Sequence, residues 1–196
     1  MVHRRWICAL ALAGLLAGLQ GCGSARPQFQ NVDITGANFA HDFALTDQNG
    51  VPRKLADFRG KAVVMFFGYT QCPDVCPTTL SDLASAMHTL GPLSDRVQVL
   101  FVTVDPERDT PKVLAAYVPN FDKRFLALYG DAAQTETTAR EFKVYYAKVP
   151  GPTPTSYTMD HSAGSYVFDP EGHVRLFIRN EATAASIAHD LKILVS

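Results

Sequence analysis

The chain has 196 residues, 47% of them hydrophobic, and a formal net charge of -1. This size and composition predict one globular domain with a hydrophobic core of its own. The charged residues are scattered along the chain without the basic excess of a nucleic-acid-binding protein, so nucleic acid is excluded as an expected partner.

The first 21 residues have the features of a secretory signal. Arg4 and Arg5 precede an apolar run at residues 6–19, and its 14 residues are fewer than the roughly 20 that a membrane-spanning helix needs. The run ends in Leu19-Gln20-Gly21-Cys22, which resembles the lipobox of bacterial lipoproteins. We therefore predict a signal peptide at residues 1–21 and a lipid on Cys22. The alternative is an ordinary cleavage site beside an incidental cysteine.

A lipid on Cys22 predicts a protein of the bacterial cell envelope, anchored to a membrane with its domain on the periplasmic or other extracytoplasmic side. Removal of residues 1–21 also removes Cys8, so Cys72 and Cys76 are the two thiols left for chemistry. Residues 22–37 lack apolar periodicity and are predicted to form a flexible membrane tether, while residues 38–196 are predicted to form the folded domain.

The domain is predicted to open with an N-terminal hairpin at residues 43–55, because Asn49-Gly50 lies between two short alternating runs. Two unbroken apolar runs, residues 62–67 and 97–104, are typical of strands buried on both faces of a sheet. The spacing of apolar residues between them predicts a helix that ends at Gly91. This order of strand, helix and strand indicates a βαβ unit.

The rest of the chain continues to alternate between strands and helices. The predicted helices are residues 111–118, 132–142 and 184–194, and the predicted extended segments are residues 125–129, 144–149, 166–168 and 174–178. A proline-rich surface loop at residues 150–154 delivers the chain to Met159, Asp160 and His161. The expected fold class is α/β, with helices on a central sheet.

Two thiols lie between the first buried strand and the following helix, in the segment GYTQCPDVCP at residues 68–77. Pro77 suits the first position of the helix, which makes Cys76 the predicted N-cap. At the N-cap the helix dipole stabilises a thiolate and lowers the pKa of the cysteine. Three residues separate Cys72 from Cys76, which suits two ligands on one ion as well as a disulfide, so both interpretations stay open.

A pair of thiolates selects a soft metal such as Cu(I) or zinc, and one neutral imidazole would complete a trigonal site suited to Cu(I). Of the six histidines, His161 has the best position, after the proline-rich loop and before the strand at residues 166–168. The others lie in the signal segment, in predicted helices, near the start of the domain or in a hairpin turn. Position alone does not distinguish a ligand from a structural histidine.

Three segments resemble the Sco/SenC family. They are GYTQCPDVCPTTL at residues 68–80, VDPERDTP at residues 104–111 and DHS at residues 160–162, and together they span most of the domain. The resemblance implies a thioredoxin-like fold, a central mixed β-sheet flanked by helices, and a copper site formed by Cys72, Cys76 and His161. Gln71 departs from the family, many of whose members have a histidine there, which puts an auxiliary imidazole and the redox tuning in doubt.

The resemblance also implies delivery of copper to cytochrome c oxidase. The first hypothesis is a metallochaperone that binds Cu(I), with Cu(II) left open, and passes it to the CuA centre of the copper-containing oxidase subunit. Its other partners would be an upstream copper donor, a thiol reductant and the membrane that holds the lipid on Cys22. The second hypothesis is a thiol–disulfide oxidoreductase in which Cys72 and Cys76 are a redox pair that reduces the cysteines of the oxidase copper site.

Two further interpretations rank below these. A structural disulfide between Cys72 and Cys76 would close too short a loop to gain much chain entropy, and a peroxidase would give His161 no role. Charged side chains near the thiols are expected to shape turns, cap a helix or steady the loop around Cys72, with contact to a partner as the alternative. They are Asp105, Glu107, Arg108 and Asp109. Asp74 is expected to shape the loop, with an approach to an oxidised copper ion as its alternative.

Overall fold

The computed structural model describes residues 28–153 and 155–196. Within these residues it contains an eight-stranded mixed β-sheet, a separate two-stranded ribbon and four α-helices. The strands are β1 (Val32–Asp33), β2 (Leu45–Asp47), β3 (Pro52–Arg53), β4 (Ala62–Gly68), β5 (Val97–Thr103), β6 (Leu126–Tyr129), β7 (Tyr146–Pro150), β8 (Tyr157–His161), β9 (Ser165–Phe168) and β10 (Val174–Ile178). The helices are α1 (Val75–Leu90), α2 (Pro111–Tyr117), α3 (Ala132–Glu141) and α4 (Ala184–Val195).

The main sheet has the strand order β1-β10-β9-β4-β5-β6-β2-β3. Its centre is the parallel pair β4 and β5, and every residue of β4 is buried. Burial on both faces explains why these segments are unbroken apolar runs in the sequence. The sheet is mixed because β6 extends the parallel part beyond β5, while β9 joins β4 antiparallel on the other side. The predicted α/β class and central mixed sheet are confirmed.

The N-terminal hairpin is present as β2 and β3, beside β6 at one margin of the sheet. The buried carboxylate of Asp47 closes its turn by accepting hydrogen bonds from the backbone N–H groups of Asn49 and Val51 and from Arg53 Nε. Gly50 lies in the left-handed region at φ 81°, where glycine meets no steric cost. Asn49-Gly50 is therefore a turn, as its sequence predicts.

The strands β4 and β5 end side by side at Gly68 and Thr103, and we call this margin of the sheet the site edge. Their parallel register pairs Gly68 with Thr103, and Val104 N donates to Gly68 O at 2.9 Å just beyond the strands. The cysteine loop (residues 69–74) leaves β4 here, and the segment at residues 104–110 leaves β5. Open α/β sheets form ligand sites where strands end in this way.

Helix α1 begins earlier than the sequence predicts. Its N-cap is Asp74 and its first residue is Val75, so Pro77 is the third residue of the helix and Cys76 lies inside the first turn. The prediction that Cys76 is the N-cap is wrong. A proline is tolerated at this position because the first four N–H groups of a helix have no partner within it, so no hydrogen bond is lost.

The ribbon of β7 and β8 corrects the expected loop before His161. β7 extends to Pro150, and β8 pairs with it antiparallel so that Tyr146 lies opposite His161. The turn between them is closed by Gly151 N, which donates to Ser156 O at 2.8 Å. Proline lacks an N–H group but is accommodated at the end of an edge strand, which is why a proline-rich segment fits here. His161 therefore lies on a strand.

Part of the expected tether belongs to the folded domain. β1 pairs antiparallel with β10, and Asp190 of α4 holds the residues before it: its carboxylate accepts from Gln30 N at 2.9 Å and from Asn31 N and Nδ2 at 2.8 Å each. The folded domain therefore begins before the boundary expected at residue 38.

We call residues 30–34 the strap. A two-residue strand made by such backbone contacts leaves no apolar periodicity in the sequence.

The predicted signal peptide and Cys22 lie outside the described residues. Among the residues that are described, no helix has the length and apolar character needed to cross a membrane.

We expect Asp190→Ala to lower the free energy of unfolding by about 2 kcal/mol, because two backbone N–H groups lose a charged acceptor. Amide hydrogen exchange at Asn31 and Ile34 should accelerate, which chemical denaturation combined with NMR would measure. Asp95→Ala is the matched control because that side chain is 83% exposed. Unchanged protection of both amides in Asp190→Ala would show that β1 pairing alone holds the strap.

The contribution of Asp190 should also depend on pH. Burial raises the pKa of Asp190, but hydrogen bonds from Gln30, His189 and Asn31 outweigh burial and lower it overall. A carboxyl whose folded pKa lies below its unfolded value, about 3.9, stabilises above that value and loses this effect as the pH falls through the folded pKa. The stability difference between wild type and Asp190→Ala should therefore be full at neutral pH and shrink below about pH 4.

Candidate metal centre

Three donor atoms converge at the site edge. The sulfur atoms of Cys72 and Cys76 and a ring nitrogen of His161 all lie within 4.8 Å of one another. Cys76 Sγ is 3.5 Å from His161 Nε2, and Cys76 N donates to Cys72 Sγ at 3.4 Å. The three residues named from the sequence are thus brought together from a loop, a helix and the ribbon.

Cys76 is the buried member of the group. Its side chain lies under β4, where a Cβ atom added to Gly68 would come within 2.8 Å of Cys76 Sγ and 2.9 Å of Phe101. Gly68 is therefore required for the close approach of the thiol to the strand. Burial raises the pKa of Cys76 far above its usual value. The predicted lowering of this pKa is wrong, because loss of water around the sulfur outweighs any help from the start of the helix.

His161 has a defined ring orientation. Its Nδ1 atom lies 2.9 Å from the carbonyl oxygen of Ser162, and the Tyr69 ring meets the imidazole edge to face at 5.8 Å. A carbonyl oxygen only accepts, so Nδ1 carries the proton and Nε2 presents its lone pair to Cys76. A ligating histidine is commonly held by a hydrogen bond at its other nitrogen. The protonated Cys76 thiol donates to Nε2 at the place where a metal ion would bridge the two atoms.

Cys72 is partly exposed on the cysteine loop, so the group opens to solvent on one side. Two sulfurs and one imidazole are soft donors that suit Cu(I) or zinc. With metal–donor bonds of roughly 2.0–2.3 Å, ligands in a trigonal plane lie about 3.5–4 Å apart. The 3.5 Å between Cys76 Sγ and His161 Nε2 has this size, and all three donors lie within 4.8 Å of one another, so small movements bring them to the spacing of a three-coordinate soft ion.

Asp109 secures the cysteine loop from below. Its buried carboxylate accepts from Thr70 N at 3.0 Å, from Thr70 Oγ1 at 2.5 Å and from Thr103 Oγ1 at 2.6 Å. Burial raises the pKa of Asp109, and the hydrogen bonds from Thr103 and Thr70 oppose that effect. Asp109 therefore joins the cysteine loop to the end of β5, which is the loop-steadying role expected from the sequence. The neighbouring Thr110 caps α2, because its side chain accepts a hydrogen bond from Val113 N.

The other residues that the sequence singled out lie around the group rather than in it. Gln71 accepts a hydrogen bond from Arg108 Nη1 at 3.2 Å, and Asp74 accepts one from Thr78 Oγ1 at 3.5 Å. Glu107 forms an exposed ion pair with Lys148 at 2.6 Å. Three other histidines in the described part of the chain lie beside carboxylates outside the metal-donor group. They are His41, His173 and His189.

Sequence reasoning missed Tyr69 and Tyr157 as parts of this region. Tyr69 meets the His161 ring, and Tyr157 lies under the Arg108 guanidinium at 3.6 Å. The only signals that the sequence offers are that Tyr69 lies within the motif of the two cysteines and that Tyr157 comes four residues before His161. Neither contact follows from spacing, because Tyr157 belongs to the ribbon and Arg108 to the segment after β5.

The fold and the site together define a thioredoxin-like protein with a dithiol–imidazole group at the site edge. The SCO1/SenC family model matches residues 31–196, and the chain belongs to this family.

Three relatives illustrate the match. The mitochondrial protein SCO2 homolog of Mus musculus is 39% identical over 153 residues, which cover 77% of this chain but only 60% of the relative's own length. The structure of Bradyrhizobium japonicum ScoI with copper bound has 39% identity and a TM-score of 0.72, over 78% of this chain and 97% of that one. The solution structure of apo Sco1 from Thermus thermophilus has 39% identity and a TM-score of 0.77, over 87% of this chain and 99% of that one.

The two thiols of the metal-free protein should differ in reactivity. We expect iodoacetamide at neutral pH to label Cys72 at least about tenfold faster than Cys76, because Cys76 is buried and protonated. Mass spectrometry of a labelling time course would measure both rates. In denaturant the two rates should converge, which is the internal control. Faster labelling of Cys76 in the folded protein would contradict its burial and raised pKa.

Proposed function

We propose that this protein is a copper metallochaperone that binds Cu(I) through Cys72, Cys76 and His161 and assists assembly of the CuA centre, or another copper site, of cytochrome c oxidase. The observation that carries the proposal is the convergence of two sulfurs and one imidazole nitrogen within 4.8 Å. Membership of the SCO1/SenC family supports it. So does the copper bound by the Bradyrhizobium relative.

The donor set favours Cu(I) over zinc as cargo. Structural zinc sites have four protein ligands in a tetrahedron, whereas the described residues supply a group of three. Two thiolates and one neutral imidazole suit trigonal Cu(I). Cys72 is partly exposed while Cys76 is buried, so an acceptor's ligand meets copper from the Cys72 side. This asymmetry suits a carrier, which has to exchange its ligands with those of a partner.

A thiol–disulfide oxidoreductase is the second candidate, and the contact of Cys76 N with Cys72 Sγ at 3.4 Å favours it. The Cys72 thiolate would attack a partner disulfide and release one partner thiol. Attack by Cys76 on the mixed disulfide would then release the second thiol and leave a Cys72–Cys76 disulfide, so the partner gains two electrons. The raised pKa of Cys76 slows this second step, which is why the chaperone role fits better.

The proposed location is the bacterial cell envelope, with a lipid on Cys22 holding the domain on the extracytoplasmic side of a membrane. The lipobox-like run before Cys22 supports this. The proposed partners are the copper-containing subunit of the oxidase, an upstream copper donor and a thiol reductant.

The metal-free protein should bind one Cu(I) per chain. Replacing Cys72 or Cys76 with Ser, or His161 with Ala, should weaken binding roughly 100-fold, because the roughly 10–16 kcal/mol of a four-ligand structural site amounts to about 2.5–4 kcal/mol per ligand. Competition with a Cu(I) chelator under anaerobic conditions measures this. His173→Ala is the control, since that ring is exposed and outside the group. Wild-type affinity in His161→Ala, with normal oxidase assembly, would favour the oxidoreductase.

Copper affinity should also fall as the pH falls. Burial raises the pKa of Cys76, so its thiol is protonated in the metal-free protein and a proton leaves when copper binds. Each proton displaced makes the affinity change by about tenfold per pH unit, with weaker binding in acid. Calorimetry in buffers of different ionisation enthalpy counts the protons released. Affinity that does not change between pH 6 and 8 would rule out a protonated thiol.

Cys22→Ser should abolish lipid attachment and release the protein from membranes while leaving its Cu(I) affinity unchanged. Metabolic labelling with a fatty acid and membrane fractionation test this. The matched control is Cys8→Ser, which alters a cysteine within the predicted signal peptide and should leave labelling intact. Equal labelling of Cys22→Ser and wild type would contradict the proposed anchor.

A further inference from the structure

The ribbon that carries His161 is not a continuation of the main sheet. β7 and β8 pair only with each other, as a two-stranded sheet, in the part of the chain that the structure describes. A ladder of backbone hydrogen bonds therefore does not fix how far His161 stands from the two thiols. Isolated two-stranded ribbons are only marginally stable in water, so side-chain contacts have to set the position of the ribbon.

Alternate residues of β8 face the domain. Met159 is buried, while Thr158 and Asp160 on either side of it are exposed. Because side chains of a strand alternate between its two faces, Tyr157, Met159 and His161 share the inward face. Tyr157 meets Arg108, Met159 enters the core and His161 reaches Cys76. Strand β8 thus links the place where Tyr157 is held to the place where the imidazole must stand.

Arg108 contacts three segments that build the site. Its Nη1 atom donates to the backbone oxygen of Tyr157 at 2.8 Å and to Gln71 Oε1 of the cysteine loop at 3.2 Å. Its Nε atom donates to the buried carboxylate of Asp105. The guanidinium also stacks 3.6 Å from the centre of the Tyr157 ring. A planar guanidinium makes such simultaneous contacts, which a lysine ammonium does not reproduce.

Tyr157 closes the arrangement. Its hydroxyl donates to Asp105 Oδ1 at 2.8 Å, so Asp105 binds both Arg108 and Tyr157. We call Asp105, Arg108 and Tyr157 the clasp. The Asp105 side chain is 1% exposed and that of Arg108 is 20% exposed, so solvent screens their interaction far less than that of a surface ion pair. Removing one partner of such a buried pair leaves the other charge uncompensated, so the three side chains hold one another in place.

We propose that the clasp is a positioning device: Arg108 and Tyr157 set the distance between His161 and the two thiols and so control how firmly copper is retained. The proposal rests on the proposed copper function, and it assigns a role to residues that do not touch the metal donors. Outer groups that orient metal ligands typically contribute 10- to 100-fold in affinity.

Three variants weaken the clasp by degrees. Arg108→Met removes every polar contact of that side chain. Arg108→Lys keeps the charge but loses the planar guanidinium that lies over the Tyr157 ring. Tyr157→Phe removes only the hydrogen bond from the Tyr157 hydroxyl to Asp105. We expect Cu(I) affinity to fall about 10- to 100-fold in Arg108→Met and by less in the other two. Arg53→Met is the matched control, because Arg53 also pairs with a buried aspartate, Asp47, but in the N-terminal hairpin. It should lose thermal stability and keep its copper affinity.

A double-mutant cycle separates positioning from general stability. If the clasp acts through His161, Arg108→Met should cost little further affinity in a His161→Ala background, although its loss of thermal stability should persist. Additive losses of affinity in the double variant, or wild-type affinity in Arg108→Met, would overturn the proposal. Should Arg108→Met fail to fold, Arg108→Lys and Tyr157→Phe supply the same comparison.

A measurement on the metal-free protein keeps the two proposals apart. NMR contacts between the rings of Tyr69 and His161, whose centroids are 5.8 Å apart, should weaken in Arg108→Met and stay unchanged in Arg53→Met. If wild type bound no Cu(I) while these contacts weakened as expected, the copper function would be wrong and the clasp correct. Unchanged ring contacts in all three clasp variants would refute the clasp whatever the affinity of the wild type.

Discussion

The parallel pairing of β4 with β5 is the constraint on which the whole site depends. Because Gly68 and Thr103 are register partners, the cysteine loop and the segment after β5 must leave the sheet side by side. Asp109 then joins them, since its one carboxylate binds both Thr70 and Thr103. Burial keeps these strands at the centre of the sheet. Both are apolar on both faces, so neither strand can turn a face toward water.

The sequence predicts what local chemistry controls. Asn49-Gly50 specifies its turn, the apolar runs specify β4 and β5, and Cys72, Cys76 and His161 stand out through motifs. It fails where a tertiary contact decides. β1 exists because it pairs with β10 and Asp190 holds the residues just before it, and β8 exists because β7 offers a partner. The raised pKa of Cys76 is a third such case, since depth of burial cannot be read from its position near the start of a helix.

Burial of Cys76 also determines how the site works in the absence of metal. A neutral thiol that donates to His161 Nε2 satisfies both groups without placing a charge in the interior. Copper replaces that proton and neutralises the thiolate it creates, so both states avoid an unpaired buried charge. An exposed thiolate pair would bind metal without this exchange but would be open to oxidation. Cys72, in contrast, is partly exposed and keeps the site accessible from solvent.

The strap relates the site to the proposed membrane anchor. β1 runs antiparallel to β10, β10 to β9 and β9 to β4, so β1 is antiparallel to β4. The start of β1 therefore faces the same margin of the sheet as the end of β4, three strands away. Five residues lie between Cys22 and Gln28, so this segment reaches at most about 22 Å. The proposed lipid on Cys22 would therefore keep the start of β1, and with it the folded domain, close to the membrane surface.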